Sequence, residues 1–455
     1  MIKTDIIPIR SQFYGIKVDL DLEAICVFTA IGFFLESDTY YKKYKTLPNA
    51  SNILLENNQI VRSESYFKWH HSPENLDFNT VIDEFTELFE KIVKEQTEGK
   101  KVILPLSGGL DSRSQAGALK RNNANVNAYS YHFKDGLNET YYAEKIAQAE
   151  NFKFQKWEIQ SGYLWDKIDQ LADINQCYSE FTHPRQMAFI EKYNAMGDVF
   201  SLGHWGDVLF DDMGVKEDLS FEEQAKVVLK KVVKKGGMEL ASSLWNVWGL
   251  RGDFREYLYE RILQLIKKIG IEHSANANIR AFKSMYWATR WTSSNLSIFE
   301  SQKPITLPYY DNRMCEFICK VPEKYLSGRQ VQIEYLKRRA PELAKIEWQD
   351  HRPFNLYNYQ LNKFPYNFPY RLMRKLKNSV SNKKYIQRNW ELQFLGEHNE
   401  MQLQNRLFDE QKLLAWLPKE IISEYYKKFQ TENDVYYSHS ISMLLTLSLF
   451  SKREL

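Results

Sequence analysis

The chain has 455 residues, which is too long for one small hydrophobic core and predicts two domains. Its net charge of +3 gives no support to a nucleic-acid partner, and its four scattered cysteines exclude a disulfide framework. The opening MIKTDIIPIR lacks the apolar core of a secretory signal, and the apolar run Ala24–Leu35 is shorter than the ~20 residues that span a bilayer. We therefore expect a cytoplasmic protein without a transmembrane segment.

The first 75 residues predict a small segment that is separate from the main domain, residues 76–455. Its predicted elements are a helix at Leu22–Glu36 and two short strands around Ile53–Leu55 and Tyr66–Trp69. The pair Asn57-Asn58 is typical of a hairpin turn. Residues 70–75, which include Pro73, are predicted to form a linker.

Strands and helices then alternate over roughly a hundred residues, which predicts an α/β fold with a parallel sheet and flanking helices. The predicted strands are Val102–Leu106, Val126–Phe133, Phe154–Ile159 and Asp198–Leu202. The predicted helices are Phe78–Gln96, Ser112–Lys120, Glu139–Glu150 and Gln186–Asn194.

From residue 221 onward the pattern is mostly helical. The predicted helices are Phe221–Lys235, Phe254–Ile269, Arg280–Ser293, Met314–Val321, Val331–Arg339 and an apolar tail at Ser438–Phe450. Residues 360–390 are rich in lysine, arginine and aromatic residues, and Pro365 and Pro369 are expected to break regular structure there.

The most informative segment is Val102–Arg113, VILPLSGGLDSR, in which an apolar strand runs into a glycine-containing loop. Adjacent glycines let backbone N–H groups approach a phosphate, and the following helix adds its unpaired N-terminal N–H groups. The prediction is a nucleotide site lined by Leu106, Ser107, Gly108, Gly109, Asp111 and Ser112. Asp111 would repel a phosphate directly, so we assign it to Mg²⁺. The alternative, a plain turn with Asp and Ser as helix caps, does not explain the whole string.

A second loop, Ser201–Asp212, also follows an apolar strand and is expected at the same edge of the sheet. We interpret Asp207 as a second Mg²⁺ ligand, with Gly203 and Gly206 lining the nucleotide site. Asp211 and Asp212 are left as solvated residues or as caps of the next helix.

In their order and spacing, these two loops resemble the synthetase domain of the asparagine synthetase family, whose relatives include β-lactam synthetases and lasso-peptide cyclases. The first family motif matches Ser107–Ser112 at every defining position. The second matches at Gly203, Asp207 and Phe210 but departs at Trp205, Gly206 and Val208. The resemblance implies a PP-loop ATP pyrophosphatase fold, which is adenine nucleotide α-hydrolase-like, with ATP as cosubstrate and Asp111 and Asp207 as Mg²⁺ ligands.

A third stretch, Pro308–Pro322, is similar to a mainly structural family segment. The family places a glutamate shortly before it, and Glu300 is the nearest here, although its spacing is about four residues too long. Some members also use a lysine to steady developing charge. Around Trp348–Phe354 the nearest cations are His351 and Arg352, which become candidate catalytic residues alongside the simpler interpretation of Arg352 as a surface arginine.

Residues 22–69 resemble the stretch that closes the family's glutaminase domain, but Met1-Ile2 offers no cysteine nucleophile. The resemblance therefore implies nitrogen from free ammonia, a separate glutaminase or an amine on another substrate. It also implies adenylation of a carboxylate, release of AMP and pyrophosphate, and amide formation.

The acceptor stays open between a uronic-acid sugar of a surface polysaccharide, which we favour, a peptide closed into a ring as by lasso cyclases, and a small amino acid. One hint is a basic stretch that either meets an anionic or lipid-phosphate-linked substrate or, as the favoured alternative, is a solvated connector. Its cations are Arg371, Arg374, Lys375, Lys377, Lys383, Lys384 and Arg388.

Two other functions remain as alternatives. Thiolation of nucleic-acid bases uses the same loop, but it calls for catalytic cysteines and a strongly basic face. A degenerate ATP-binding partner subunit without catalysis would account for the altered second loop.

Overall fold

The computed structural model describes residues 19–56, 59–134, 136, 140–380 and 391–455. The first helix among these residues is α1, Leu22–Ile31, which ends at Gly32 in the left-handed conformation (φ 82°) and is therefore shorter than predicted. Strands β1, Ser51–Glu56, and β2, Gln59–Ser65, form an antiparallel pair. The prediction of a strand at Tyr66–Trp69 is wrong, because β2 ends before it. Asn57-Asn58 and Met1-Ile2 lie outside the described residues.

The predicted alternation of strands and helices is confirmed, and so is the α/β class. The strands are β3, Lys101–Pro105; β4, Asn125–Phe133; β5, Lys153–Ile159; β6, Val199–Ser201; and a short β7, Ile305–Thr306. The helices between β2 and β6 are α2, Phe78–Thr97; α3, Leu110–Arg121; α4, Thr140–Ala149; α5, Tyr163–Asn175; and a 3₁₀ stretch, Arg185–Ala195. The sequence prediction missed α5 and β7.

The five strands form one sheet in the order β5-β4-β3-β6-β7, and every neighbouring pair is parallel. The chain runs outward from β3 through β4 to β5 and then returns to the other side of β3 as β6. The loops that leave the carboxyl ends of β3 and β6 therefore diverge at a point where the strand order reverses. Such a point forms the crevice in which open α/β sheets bind ligands.

The rest of the described chain is mostly helical, as predicted. Its helices are α6, Gly206–Leu209; α7, Phe221–Val232; α8, Gly237–Val247; α9, Phe254–Ile269; α10, Ala275–Phe282; α11, Ser293–Glu300; α12, Asn312–Lys320; α13, Glu323–Leu326; α14, Gln330–Arg339; α15, Pro341–Lys345; α16, Phe368–Val380; α17, Glu397–Phe408; α18, Gln411–Leu414; α19, Lys419–Thr431; and α20, Asp434–Glu454. A π-helical stretch, Lys283–Thr292, joins α10 to α11. Among the described residues, no helix has both the length and the apolar character needed to cross a membrane.

Pro369 does not break the chain as predicted; it lies in the first turn of α16, which begins at Phe368. A proline is tolerated there because the first N–H groups of a helix have no partner within it. The prediction was wrong because it treated proline as a breaker wherever it occurs.

Residues 24–41 pack into the same core as the sheet and the last helix. The side chains of α1 are almost all buried. The Tyr40 hydroxyl donates to the carbonyl of Cys177 at 2.5 Å, and its ring stacks on Phe450 of α20 at 3.8 Å between centroids. The division between residues 75 and 76 stays a prediction.

Candidate active site

The Ser107–Ser112 loop closes on itself through its two serines. The N–H of Leu106 still donates to the carbonyl of Tyr129 in β4, at 2.8 Å, so the loop leaves the sheet only after this residue. The hydroxyl of Ser112 accepts from the N–H of Ser107 at 3.1 Å and lies 3.1 Å from the Ser107 hydroxyl. Gly109 is the N-cap of α3, and no side chain caps this end. The first N–H groups of α3 are thus left for another acceptor, which the interpretation of Asp and Ser as caps does not explain.

Gly108 is covered by the segment that precedes the candidate cations. A Cβ at Gly108 would lie 2.8 Å from Cβ of Gln349 and 3.0 Å from Cβ of Tyr142. Real Cβ atoms do not approach other atoms so closely, so glycine is required at this position by packing as well as by ligand access.

Arg113, directly after the loop motif, is fully buried and fastens that covering segment to the loop. Its guanidinium donates to four main-chain carbonyls: Gly108 at 3.1 Å, Leu343 at 3.2 Å, Ile346 at 3.0 Å and Glu347 at 2.9 Å. Burial lowers the pKa of Arg113 to about 10, so the side chain stays charged at neutral pH. The sequence-based prediction did not assign it a role.

The second loop lies directly on Asp111. A Cβ added at Gly203 would lie 3.1 Å from Cβ of Asp111, and one at Gly206 would lie 2.7 Å from its Cγ. Asp207 follows in the first turn of α6 and is exposed. The two predicted metal ligands are therefore brought to the same edge of the sheet.

The carboxylate of Asp111 is already held by donors from a distant part of the chain. Arg329 forms an ion pair with its Oδ1. Gln332, fully buried in α14, donates to the same oxygen at 2.9 Å and accepts from Nε of Arg329 at 2.9 Å. The Tyr309 hydroxyl donates to the main-chain carbonyl of Asp111 at 3.1 Å. Neither Arg329 nor Gln332 was predicted from the sequence.

The charges at this edge act on one another. The pKa of Asp111 is raised to about 6, chiefly because the carboxyl group is buried; Arg329 opposes this rise and Asp207 adds to it. Asp111 and Asp207 in turn raise the pKa of Arg329 against the effect of burial. Burial lowers the pKa of Lys283, and Asp207 opposes that change. Two carboxylates and two cations thus share one small region.

Asp211 connects the second loop to the turn that carries Arg329. Its Oδ1 accepts from the N–H of Gly328 at 2.9 Å, and Arg329 follows in the left-handed conformation with φ 60°. Asp212 instead accepts from the N–H of Gly214 at 2.8 Å. Neither residue caps α7, whose N-cap is Ser220.

Of the two candidate cations, Arg352 lies beside the residues that cover the Ser107–Ser112 loop. Its Nε donates to the carbonyl of Gln349 at 3.1 Å, and its guanidinium lies 5.9 Å from the ring centre of Tyr142. The imidazole of His351 is stacked on Trp348 at 4.2 Å between ring centroids and is packed by Tyr359 at 5.5 Å.

Glu300 lies outside both loops. It is the last residue of α11, and only a short turn separates it from the start of β7. The first residue of β7, Ile305, pairs with Phe200 of β6, which in turn pairs with Ile103 in the middle of β3. The catalytic role of Glu300 stays a prediction.

The residues present fit a magnesium ion that is held jointly by protein and phosphate. Among the described residues, no group of three or more His, Cys, Asp or Glu side chains forms a complete metal cage. Two carboxylates, Asp111 and Asp207, are what a site needs when phosphate oxygens and water supply the remaining ligands.

Comparison with known proteins agrees with this geometry. The family model for asparagine synthase matches residues 84–418, which is most of the chain. No curated protein matches the sequence. The family consists of ATP-dependent ligases that form amide bonds after adenylating a carboxylate. The matched region spans both loops and the helices that supply their partners, and the chain belongs to the asparagine synthase family.

Proposed function

We propose that this protein is a carbon–nitrogen ligase that adenylates a sugar-linked carboxylate and joins it to ammonia or an amine. The observation that supports this proposal best is the meeting of two loops at the reversal point of the sheet, where Gly203 and Gly206 of the second loop lie directly on Asp111 of the first.

In the proposed reaction the Ser107–Ser112 loop holds the β- and γ-phosphates of ATP. The N–H groups of Gly108 and Gly109, the first N–H groups of α3 and the two serine hydroxyls supply donors, and Leu106 lies at the loop's entrance. Asp111 and Asp207 are the residues that would hold Mg²⁺, which when bound neutralises charge on the phosphates. Gly203 and Gly206 leave the space that this arrangement needs.

The carboxylate attacks the α-phosphate, pyrophosphate leaves, and the acyl-adenylate is then attacked by the amine with release of AMP. The chain's contribution is chiefly to position these groups and to stabilise developing charge. We propose Arg352 as the cation near the reacting carbonyl, since it lies beside Tyr142 and the loop, whereas His351 is packed among aromatic rings.

For the acceptor we propose a uronic-acid sugar of a surface polysaccharide precursor, amidated in the cytoplasm, where ATP is available. All four cysteines are buried and none of them forms a disulfide bond, which fits a reducing compartment. The nitrogen would come from free ammonia or from a separate glutaminase. Residues 351–390 contain nine lysine and arginine residues and no acidic residue, so the region next to Arg352 favours an anionic acceptor.

The test is to trap the acyl-adenylate with hydroxylamine across a panel of carboxylates that includes uronic-acid sugars, peptides and small amino acids. We expect a hydroxamate and ATP–pyrophosphate exchange with a uronic-acid sugar. Asp111→Asn and Asp207→Asn should abolish both signals, whereas Asp212→Asn, a matched change outside the Asp111 contacts, should retain them.

Other results of this experiment would support a different function. Trapping with a peptide alone would favour a ring-closing peptide ligase. Nucleotide binding without exchange for any carboxylate, restored by a second protein, would favour the non-catalytic partner subunit. Full exchange in Asp111→Asn, with the fold intact by circular dichroism, would contradict the assignment of this site.

A further inference from the structure

Residues 351–390 carry an unbalanced positive charge. This stretch holds nine lysine and arginine residues and no aspartate or glutamate. Because the whole chain has a net charge of +3, the other residues together carry −6. A basic stretch on an otherwise acidic protein is oriented by any negatively charged surface, which attracts it and repels the rest.

The same stretch exposes large apolar side chains. Phe364 is 75% exposed, Phe368 52%, Leu372 46% and Leu376 60%. Phe368, Leu372 and Leu376 recur every four residues of α16, so they share one face of the helix. Apolar side chains that cluster on a surface without packing partners mark an interaction site rather than ordinary surface.

We propose that this surface, the α16 strip, docks on an anionic lipid bilayer. The strip is defined as residues 363–376, with the exposed cations Lys363 and Arg371 beside the apolar face. An amphipathic helix that combines lysine and arginine with Phe and Leu binds in the plane of the lipid headgroups, where the apolar face enters the acyl boundary. Anionic lipids attract its cations.

The composition favours lipid over the other partners that a basic surface attracts. Proteins bind nucleic acid through cations and through aromatic side chains that stack on bases. The exposed aliphatic side chains of Leu372, Met373 and Leu376 contribute to neither interaction. Met373 is 64% exposed, which adds to the aliphatic character of the surface. The combination of aliphatic side chains and uncompensated positive charge is complementary to a headgroup layer over acyl chains.

The α16 strip lies next to the candidate active site. The side chain of Asn367 donates to Oδ1 of Asn362 at 3.2 Å, and Asn362 in turn lies 3.4 Å from Nδ1 of His351. Burial raises the pKa of Tyr142, and Tyr370, in the first turn of α16, is near enough to add to that rise. Docking would therefore bring the edge of the sheet near Arg352 to the membrane surface, within reach of a carboxylate on a lipid-attached group.

The proposal goes beyond the proposed reaction, because binding to lipid requires neither ATP nor turnover. The experiment is flotation of the full chain with phosphatidylcholine vesicles and with vesicles that contain phosphatidylglycerol. We expect binding to the anionic vesicles, weak binding to the neutral ones, and at least a tenfold loss of binding between 0.1 and 0.5 M NaCl.

Two triple variants test whether vesicle binding depends on the α16 strip or on exposed apolar residues in general. Replacing Phe368, Leu372 and Leu376 with serine should reduce anionic vesicle binding at least tenfold. The matched control replaces three equally exposed apolar residues elsewhere with serine, Leu54 (51%), Val247 (46%) and Met401 (51%), and should bind as the wild type does. Circular dichroism establishes that both variants are folded.

Several results would overturn the proposal: no binding to either vesicle, equal binding to neutral and anionic vesicles, or unchanged binding of the strip variant. Binding to poly(U) RNA in place of vesicles would assign the surface to nucleic acid instead. A dimer in solution that the strip variant disperses, without vesicle binding by the wild type, would assign it to a second copy of the chain.

Discussion

Gly206→Ala tests whether the second loop sets the position of the Asp111 carboxylate. The substitution adds one methyl group and leaves every titratable group of the site in place. Gly206 does not have positive φ, so alanine can adopt its backbone conformation. The effect should therefore come from the contact with Asp111 rather than from the backbone.

The size of the effect follows from the geometry. The new Cβ would lie 2.7 Å from Cγ of Asp111 and closer still to its Oδ1, whereas ordinary contacts begin at 3.4 Å, so one of the two groups must move by at least about 0.7 Å. Asp111 is held by Arg329, Gln332 and Tyr309, which resist that movement. Displacing a metal ligand through its neighbours costs roughly 10- to 100-fold in metal affinity. This corresponds to about 1.4–2.7 kcal/mol.

The assay is a titration of Mn²⁺ with ATP and protein, in which the electron paramagnetic resonance signal of free Mn²⁺ reports binding without any acceptor. Gly249→Ala is the matched control, because a Cβ there meets nothing within 4 Å. Its positive φ of 65° makes alanine costly for the fold, roughly 1 kcal/mol, but leaves the site alone.

Unchanged Mn²⁺-ATP affinity in Gly206→Ala would refute the reasoning, since the loop would then be free to yield without disturbing Asp111. Equal losses in Gly206→Ala and Gly249→Ala would also refute it, because the effect would then follow from stability rather than from the site.

Three further predictions follow from charged groups. Arg329→Gln removes the cation paired with Asp111. In the same spectroscopic titration, the affinity for Mn²⁺ without nucleotide should rise about tenfold, which is about 1.4 kcal/mol. An unchanged affinity would show that the ion pair does not compete with metal. Arg113→Met leaves buried carbonyls without a donor and should lower the free energy of unfolding in urea by ~3–5 kcal/mol. Arg338 is partly exposed and pairs with Glu334 of the same helix. Arg338→Met should therefore lower the free energy of unfolding by less than ~1 kcal/mol. Burial raises the pKa of Glu150 from 4.5 to about 7, although Lys120 opposes this rise, so the protonated side chain stabilises the fold fully below pH 4.5 and this contribution is lost as pH rises to 7. The free energy of unfolding of Glu150→Gln should therefore equal that of the wild type at pH 4 and exceed it at pH 8 by at most ~3 kcal/mol. Identical urea midpoints for the two proteins at pH 8 would contradict this.

Local sequence was enough to predict the strand, loop and helix around Asp111. The signals there are short in range: apolar residues in β3, glycines where N–H groups must be approached, and a helix that begins immediately afterwards. The parallel order of strands also follows from local alternation, because a crossover helix places successive strands side by side in one direction.

The hydrogen-bond partners of Asp111 could not be predicted from local sequence. Arg329 and Gln332 are more than 200 residues away in the chain, and nothing in their neighbourhood marks them as parts of a nucleotide site. Arg113 lies between Ser112 and Ser114 in a helix that holds other charged residues, so its sequence context indicates neither its burial nor the carbonyls to which it donates. The role of Glu300 stays a prediction, because it was carried over from a family pattern whose spacing does not hold here.

The balance of charge at the sheet edge predicts how the proposed site would distinguish free metal from metal bound to nucleotide. Asp111 and Asp207 are opposed by Arg329 and Lys283, so the protein does not leave two carboxylates uncompensated. A divalent ion that binds alone would have to displace Arg329, which Gln332 also holds. A divalent ion that binds with ATP would bring phosphate oxygens, and Arg329 could then pair with a phosphate in place of Asp111. On this reasoning we expect the proposed site to bind the metal–nucleotide complex as a unit, and we expect Arg329 to make binding of metal without nucleotide unfavourable.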